Sequence, residues 1–283
     1  MKKLLASVLA CLGGLAAFTV ESPARAADFA PAFTTSRAGG FIDLWPTKNT
    51  FGLWFGGEFQ IGVTPKVFLD FSVSGSYIDV DYGFGKFQHA AYGNPTFGVH
   101  YADQVKRNFA FFVGGMLTFP ALHDPDAEVG TAALFSSPMR GYYDSDRFYT
   151  GRMAIRAMGG IEWEIARHWY FRAEARPLLS IQTRRETDFL AGTDDVIWFL
   201  EHAAEGEYRL DNGLGFGLRL QGVLIPQAND AYQAMAEPFL ALTPRSRGLY
   251  LRVGFPVALD RQLGFGFDDG RVATIRFSIG GQW

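Results

Sequence analysis

The sequence predicts an all-β chain, a transmembrane antiparallel up-and-down β-barrel of about twelve strands behind a cleaved N-terminal signal peptide. Three observations predict it. Segments of about ten residues alternate between apolar and polar side chains, as strands with one greasy and one wet face must. The connections between those segments alternate between short and long. After Val20, no apolar run is long enough to cross a membrane as a helix.

Taken in chain order, the first element is the signal. Lys2 and Lys3 supply a positive start, Leu4 to Val20 an apolar core, and Pro23 breaks the helix before the cleavage sequence Ala24-Arg25-Ala26. Residues 1–26 are therefore the signal peptide, and 27–283 form one barrel domain. The chain's single cysteine, Cys11, lies in the signal, so disulfides, thiolate metal sites and cysteine nucleophiles are excluded from the remainder. With 26 basic against 29 acidic residues, the chain offers no basic footprint for nucleic acid. At 48% hydrophobic and 19% charged it is too apolar to be disordered.

Strands are expected near 38–45, 51–63, 66–78, 94–102, 109–119, 152–165, 168–181, 195–208, 213–225, 236–243, 248–259 and 272–283. The last is the clearest: Ile275, Phe277, Ile279 and Trp283 share one face, and Arg276, Ser278 and Gln282 the other. Leu249, Leu251, Val253, Phe255, Val257 and Leu259 oppose Tyr250 and Arg252 in the same way. Short turns lie at Thr64-Pro65, 103–108, Ala166-Arg167, 209–212 and 244–247. Long connections are expected at 79–93, 120–151 and 183–194, with intermediate ones at 46–50, 226–235 and 260–271. Tyr101, Phe109, Trp163, Trp169, Tyr208 and Trp283 crowd the short-turn ends, where an interfacial girdle belongs. A soluble sandwich would also alternate, but it would not need apolar faces on nearly every strand together with aromatic strand ends.

The terminal strand, with Phe277, Ile279 and Trp283 on one face, resembles the C-terminal assembly signal of Gram-negative outer-membrane proteins, Trp283 standing where Phe is more usual. That resemblance covers the architecture of 27–283 and no subfamily motif. It implies export to the outer membrane and contact with its lipids and lipopolysaccharide. It also implies recognition by the outer-membrane assembly machinery. Gly93-Asn94-Pro95-Thr96 resembles a segment of the transport barrels for hydrophobic compounds.

If the apolar faces meet lipid, the polar faces line a lumen. Arg152, Arg156, Glu162 and Glu164 point inward from one strand, then Arg172, Glu174 and Arg176 from the next. Glu201, Glu205 and Glu207, then Arg219 and Gln221, then Arg252 and Arg276 continue the series. Asp70 and Glu58 lie on early strands, and His100, Phe112, Met116 and Thr118 form a less charged wall. Two readings follow: a charged path for small solutes in a porin-like channel, or a closed structural or surface-interaction barrel filled by ion pairs. His202 falls on the lipid side, so it lies near the headgroups or a bulge breaks the register there.

The long connections are acidic, carrying Asp79, Asp81, Asp124, Asp126, Asp144, Asp146, Asp194, Asp195, Asp268 and Asp269, while the short turns are basic. The longest, Pro120 to Gly151, exceeds what a hairpin needs and is expected to fold back over or into the mouth, its apolar stretch Thr131 to Phe135 packing on the wall and its charges, Asp144, Asp146 and Arg147, meeting the Arg–Glu side of the lumen. No catalytic, metal or cofactor site is expected. None of His89, His100, His123, His168 and His202 has a serine two residues away. Asp79-Val80-Asp81 lacks an Asp-x-His partner, and His123-Asp124-Pro125-Asp126 lacks further ligands.

Overall fold

The computed structural model describes residues 32–46, 50–81, 86–121, 143–183, 194–227, 232–243, 248–259 and 274–283. The expected signal peptide, the apolar stretch Thr131 to Phe135 and the residues His123 to Asp126, Asp268 and Asp269 lie outside the described residues.

Among the described residues, fourteen strands form a single antiparallel sheet. They are β1 (Arg37–Pro46), β2 (Thr50–Gly62), β3 (Val67–Asp81), β4 (Lys86–Tyr92), β5 (Thr96–Lys106), β6 (Phe109–Thr118) and β7 (Arg152–Ala166). The chain continues through β8 (Trp169–Gln182), β9 (Val196–Arg209), β10 (Leu214–Leu224), β11 (Tyr232–Leu242), β12 (Gly248–Gly254), β13 (Val257–Ala258) and β14 (Ile275–Gln282). β4 and β5 both pair with β3 and are one stave interrupted at 93–95. β12 and β13 both pair with β11 and are one stave interrupted at Phe255-Pro256. Twelve staves result. β1 pairs with β14 from Arg37 opposite Gln282 to Leu44 opposite Ile275, and this closes the barrel. Closure leaves no sheet edge between the first and last staves, which is the condition for spanning lipid with strands.

The period-two pattern sets the faces. Leu69, Val73, Phe97, Val99, Val113, Leu218, Leu220, Leu240 and Phe277 are exposed on the outside, while the residues between them turn into the lumen. At the short-turn ends Tyr101, Trp163, Trp169 and Trp283 are exposed, and Trp169 packs edge-on against Tyr208 at 5.2 Å. The β7–β8 turn is tight, with His168 in the left-handed region (φ 72°) and its Nδ1 2.8 Å from the Arg209 carbonyl. Glycines let large inward side chains lie flat along the wall. A Cβ at Gly56 would strike the Phe41 ring, and one at Gly160 the Phe112 ring.

Two expected connections are partly strand. β3 runs on to Asp81 and is continued by β4, where residues 79–93 were expected to be a loop, and β11 begins at Tyr232. The reason is a reversal of polarity. Beyond the hydrocarbon band Asp79 and Asp81 face outward to water, while Ile78 and Val80 are buried inside. The alternation persists with its sense inverted, so its polar half reads as a loop.

Candidate functional site

The lumen carries a belt of alternating charge set directly by strand register. Glu162 on β7 lies opposite Arg172 on β8, Arg172 opposite Glu205 on β9, Glu205 opposite Arg219 on β10, and Arg219 opposite Glu237 on β11. Arg252 and Arg276 continue from Glu237, and Arg276 lies opposite Asp43 on β1. Arg172 Nε donates to Glu162 at 2.8 Å, and Arg252 Nη1 donates to Glu205 at 2.7 Å. Arg252 Nη2 and Arg276 Nη1 donate to the two Glu237 oxygens at 2.9 and 2.5 Å. Glu237 lies flat on Gly254, where a Cβ would strike its carboxylate, and this holds the acid within reach of both arginines. Buried carboxylates and guanidinium groups are tolerable only with such partners.

Above the belt, a strap of the long β6–β7 connection enters the lumen, as the sequence led us to expect. Residues 143–152 are all buried, with a 3-10 turn at Ser145–Phe148 and Asp144 in the left-handed region (φ 59°). Arg156 anchors it, donating to Asp144 at 2.9 Å and to Asp146 at 2.5 Å. The Asp144 amide donates to Glu201 at 2.8 Å, and Arg147 reaches Glu58 at 3.1 Å. Tyr143 donates to Glu174 at 2.8 Å and lies between the Arg176 and Arg219 guanidinium groups, 5.1 and 5.4 Å from its ring centroid. The strap also docks on the interrupted stave, because the Asn94 side chain donates to the Asp146 and Tyr149 carbonyls at 3.2 and 2.9 Å. Phe148 packs edge-on against Trp54 at 4.7 Å.

A second insertion fills the less charged wall and was not legible in the sequence. A single 3-10 turn, Ala32–Thr34, places Phe33 inside the barrel, stacked 3.7 Å from Phe112. The Phe33 amide donates to Glu162 at 3.2 Å, and Gln60 donates to the Ala32 and Thr35 carbonyls at 3.0 and 2.7 Å. His100 bridges Asp70, 2.5 Å from Nδ1, and the Phe33 carbonyl, 3.0 Å from Nε2.

Among the described residues a polar cavity of about 250 Å³ runs along the charged arc. Its lining runs from Tyr143 and Asp144 beneath the strap to Arg37, Arg209, Thr243 and Gln282 at the short-turn rim.

Of the lumen residues expected from sequence, Arg172, Glu174, Arg176, Glu205, Arg219, Arg252 and Arg276 line this cavity. Arg156 lies under the strap instead, and Arg152 is held in the wall by Ser180 and the Asp194 carbonyl at 3.1 and 2.9 Å. Glu164 sits near the rim, 3.5 Å from the Tyr170 hydroxyl. Asp43 and Glu237 were missed, though each occupies an inward position of an alternating segment. Asp144, Asp146 and Glu201 converge closely enough to suggest a cation site, but the Arg156 guanidinium already contacts all three. Among the described residues that trio is an ion-pair cluster.

No protein-family profile matches the chain, and no curated protein matches it. Solved structures do. An outer-membrane channel from Pseudomonas putida aligns with a TM-score of 0.55 at 10% identity, covering 93% of this chain and 99% of that one. The NanC porin aligns at 0.49 and 10% identity, covering 88% and 98%. LpxR from Salmonella typhimurium aligns at 0.44 and 10% identity, covering 87% and 99%. The first likeness shows a shared fold, and this chain has the closed twelve-stave architecture of outer-membrane β-barrels.

Proposed function

We propose that this barrel resides in a bacterial outer membrane and is a porin-like channel for passive or facilitated passage of small polar solutes. The observation that carries the reading is the cavity beneath the strap, polar along its length and reaching the short-turn rim. A barrel built only as a wall gains nothing from an open, charge-lined volume, since burying charge costs several kcal/mol per ion before pairing, on the order of the net stability of a domain. Because Arg and Glu alternate around one arc, the wall presents both signs at every step, and a small polar solute can exchange hydrogen bonds along it. The strap and Phe33 narrow the path, so conduction requires one or both to shift. The reading assigns the barrel no catalytic step: the His100–Asp70 pair is spent on holding the Phe33 carbonyl.

A second reading, a closed structural barrel, is favoured by one observation, the strap sealed under the mouth by Arg156. Planar-bilayer recording of the purified protein separates the two. Stepwise conductance that small sugars or amino acids reduce supports the channel, and persistent silence across applied voltages supports the closed barrel.

A further inference from the structure

Arg37 is the cavity arginine without an acid. It stands at the short-turn end of β1, opposite Gln60 on β2 and Gln282 on β14, and lines the cavity. Each of the other arginines lining the cavity has a carboxylate oxygen 2.9 Å away or nearer, Glu162 for Arg172 and Glu207 for Arg209 among them. Among the described residues no carboxylate comes within ion-pair distance of Arg37. Its neighbours on β2 show why. Gln60 is neutral, and its side chain donates to the Ala32 and Thr35 carbonyls at 3.0 and 2.7 Å. Glu58, two residues back along β2, turns to Arg147 of the strap at 3.1 Å.

What Arg37 does meet is an aromatic ring. Its guanidinium carbon lies 5.3 Å from the Phe33 centroid, and that of Arg172 lies 5.4 Å from the same centroid. Phe112 stacks on that ring at 3.7 Å and covers one face, so the two guanidinium groups share what remains of it. Glu162 offsets one of them. Arg172 donates to it through Nε and Nη2 at 2.8 and 2.5 Å, and the Phe33 amide donates to its other oxygen at 3.2 Å. One positive charge, that of Arg37, is left uncompensated beside Phe33. The ring steadies this guanidinium through its quadrupole and consumes none of its N–H donors. Across the seam Tyr250 lies over Gly39 and Gly280, where a Cβ at either would strike its hydroxyl, and it lines the same end of the cavity.

A steadied cation on the wall of a narrow polar path, with no acid of its own, draws an anion from solution. The arginine fork matches a carboxylate in two parallel N–H···O bonds, a geometry that a lysine cannot supply. The Tyr250 hydroxyl adds a donor for a carboxylate oxygen on the same side. A cavity of about 250 Å³ in all admits only a small guest. We propose, on the channel reading above, that Arg37 with Tyr250 forms a binding subsite for the carboxylate of a small organic acid at the short-turn end of the lumen. The belt beyond it offers no second subsite of this kind, because its arginines are already held by acids. Arg37 is therefore the residue that sets a preference for acids over neutral solutes of the same size.

The test measures binding, so it does not depend on conduction. Lactate and lactamide, alike in size and different in charge, are the probes, read by saturation-transfer NMR on the full barrel in lipid nanodiscs. The proposal expects a response several-fold larger for lactate, and a several-fold loss of it with Arg37→Gln. Arg167→Gln, on an exposed turn at the same rim, removes a like charge outside the cavity and should leave the response unchanged. If Arg37→Gln does not fold, Arg37→Lys serves instead, and it should lower the lactate response while keeping it above that of lactamide. Equal responses to the two probes overturn the proposal, as does a lactate response indifferent to both Arg37 variants or reduced equally by Arg167→Gln. A barrel that conducts in planar bilayers but gives one of those results keeps the channel and loses the subsite. One that binds lactate through Arg37 and stays silent keeps the subsite and loses the channel.

Discussion

Arg276 on the last stave grips Asp43 on the first, its Nε 2.8 Å from Oδ1 and its Nη2 3.2 Å from Oδ2, across 233 residues of sequence. Both side chains are nearly inaccessible, and they lie directly opposite in the register that closes the barrel. Glu237 accepts the remaining Arg276 nitrogen, so the seam is tied into the charge belt.

Removing one partner therefore leaves a buried charge beside the seam. Asp43→Ala should destabilise the barrel by about 3 kcal/mol, the low end for a broken buried pair because Glu237 still engages Arg276. Arg276→Met should do similar harm by stranding Asp43. The double variant should recover part of the loss, since it leaves neither charge alone. Urea unfolding in lipid vesicles measures the cycle, and strict additivity would show that the two residues do not act as a pair.

The same stave tests the register. Arg at Phe277, which is exposed on the lipid face, should destabilise by about 2–4 kcal/mol at mid-membrane. Ser278 lines the cavity, so Ser278→Arg should cost much less. Folding titrations of the two variants in the same vesicles compare them directly, and a larger loss for Ser278→Arg would place the faces the other way round.

Trp283 closes that stave at the short-turn rim, its amide donating to the Ser36 carbonyl at 2.9 Å. Trp283→Asp keeps the amide but puts a charge where an exposed interfacial aromatic stands. The heat-modifiable folded form in membrane fractions should fall. Unchanged folding would mean that the aromatic adds nothing to assembly.

These contrasts show what one-dimensional pattern carries. Facing is a period-two property, so the inward Arg172, Glu205 and Arg219 were visible from alternation alone. Their pairing was not, because it depends on which residues of neighbouring staves stand opposite, and a slip of two residues would have set Glu174 opposite Glu162 or Glu205. Asp43 and Glu237 escaped notice because each is a single charge among apolar neighbours. Phe33 was invisible for another reason: a short turn outside any periodic segment gives no signal that it docks on Phe112 and His100. The strap was legible as an over-long connection whose charges were expected to meet the Arg–Glu side of the lumen. Which arginine Asp144 and Asp146 would meet was not legible, because that depends on the register that sets Arg156 beneath them.

Selectivity should follow the residues that line the cavity, not those under the strap. Arg219 stands between Glu174, 2.8 Å away, and Glu205, so Arg219→Glu gathers three carboxylates at one level. The reversal potential in a salt gradient should move toward cations. Glu205→Gln, which frees Arg252 and Arg172 from one acid, should move it toward anions. If neither substitution alters the reversal potential of an open channel, the solute path does not run along this arc.

The strap is one of the two insertions that narrow the path. Arg156 is its deepest anchor, holding Asp144 and Asp146 from below while the Asp144 amide is held by Glu201. Asp144→Asn with Asp146→Asn withdraws both charges from Arg156 without changing side-chain size, and should loosen the strap while the barrel wall stays intact. The expected result is more frequent or larger openings in single-channel records, with heat-modifiability retained as the check on folding. Removing residues 143–149 outright should go further, because Tyr143 and Phe148 then leave the lumen along with the acids. Arg156 and Arg147 respond differently to that deletion: Arg156 keeps Glu201 as a partner, whereas Arg147 is itself removed, so Glu58 is left facing the widened path. The deleted form should therefore lean more toward cations than the doubly amidated one. A strapless barrel that folds normally and, with Phe33→Ala added, still passes no current would end the channel reading and leave the closed barrel in its place.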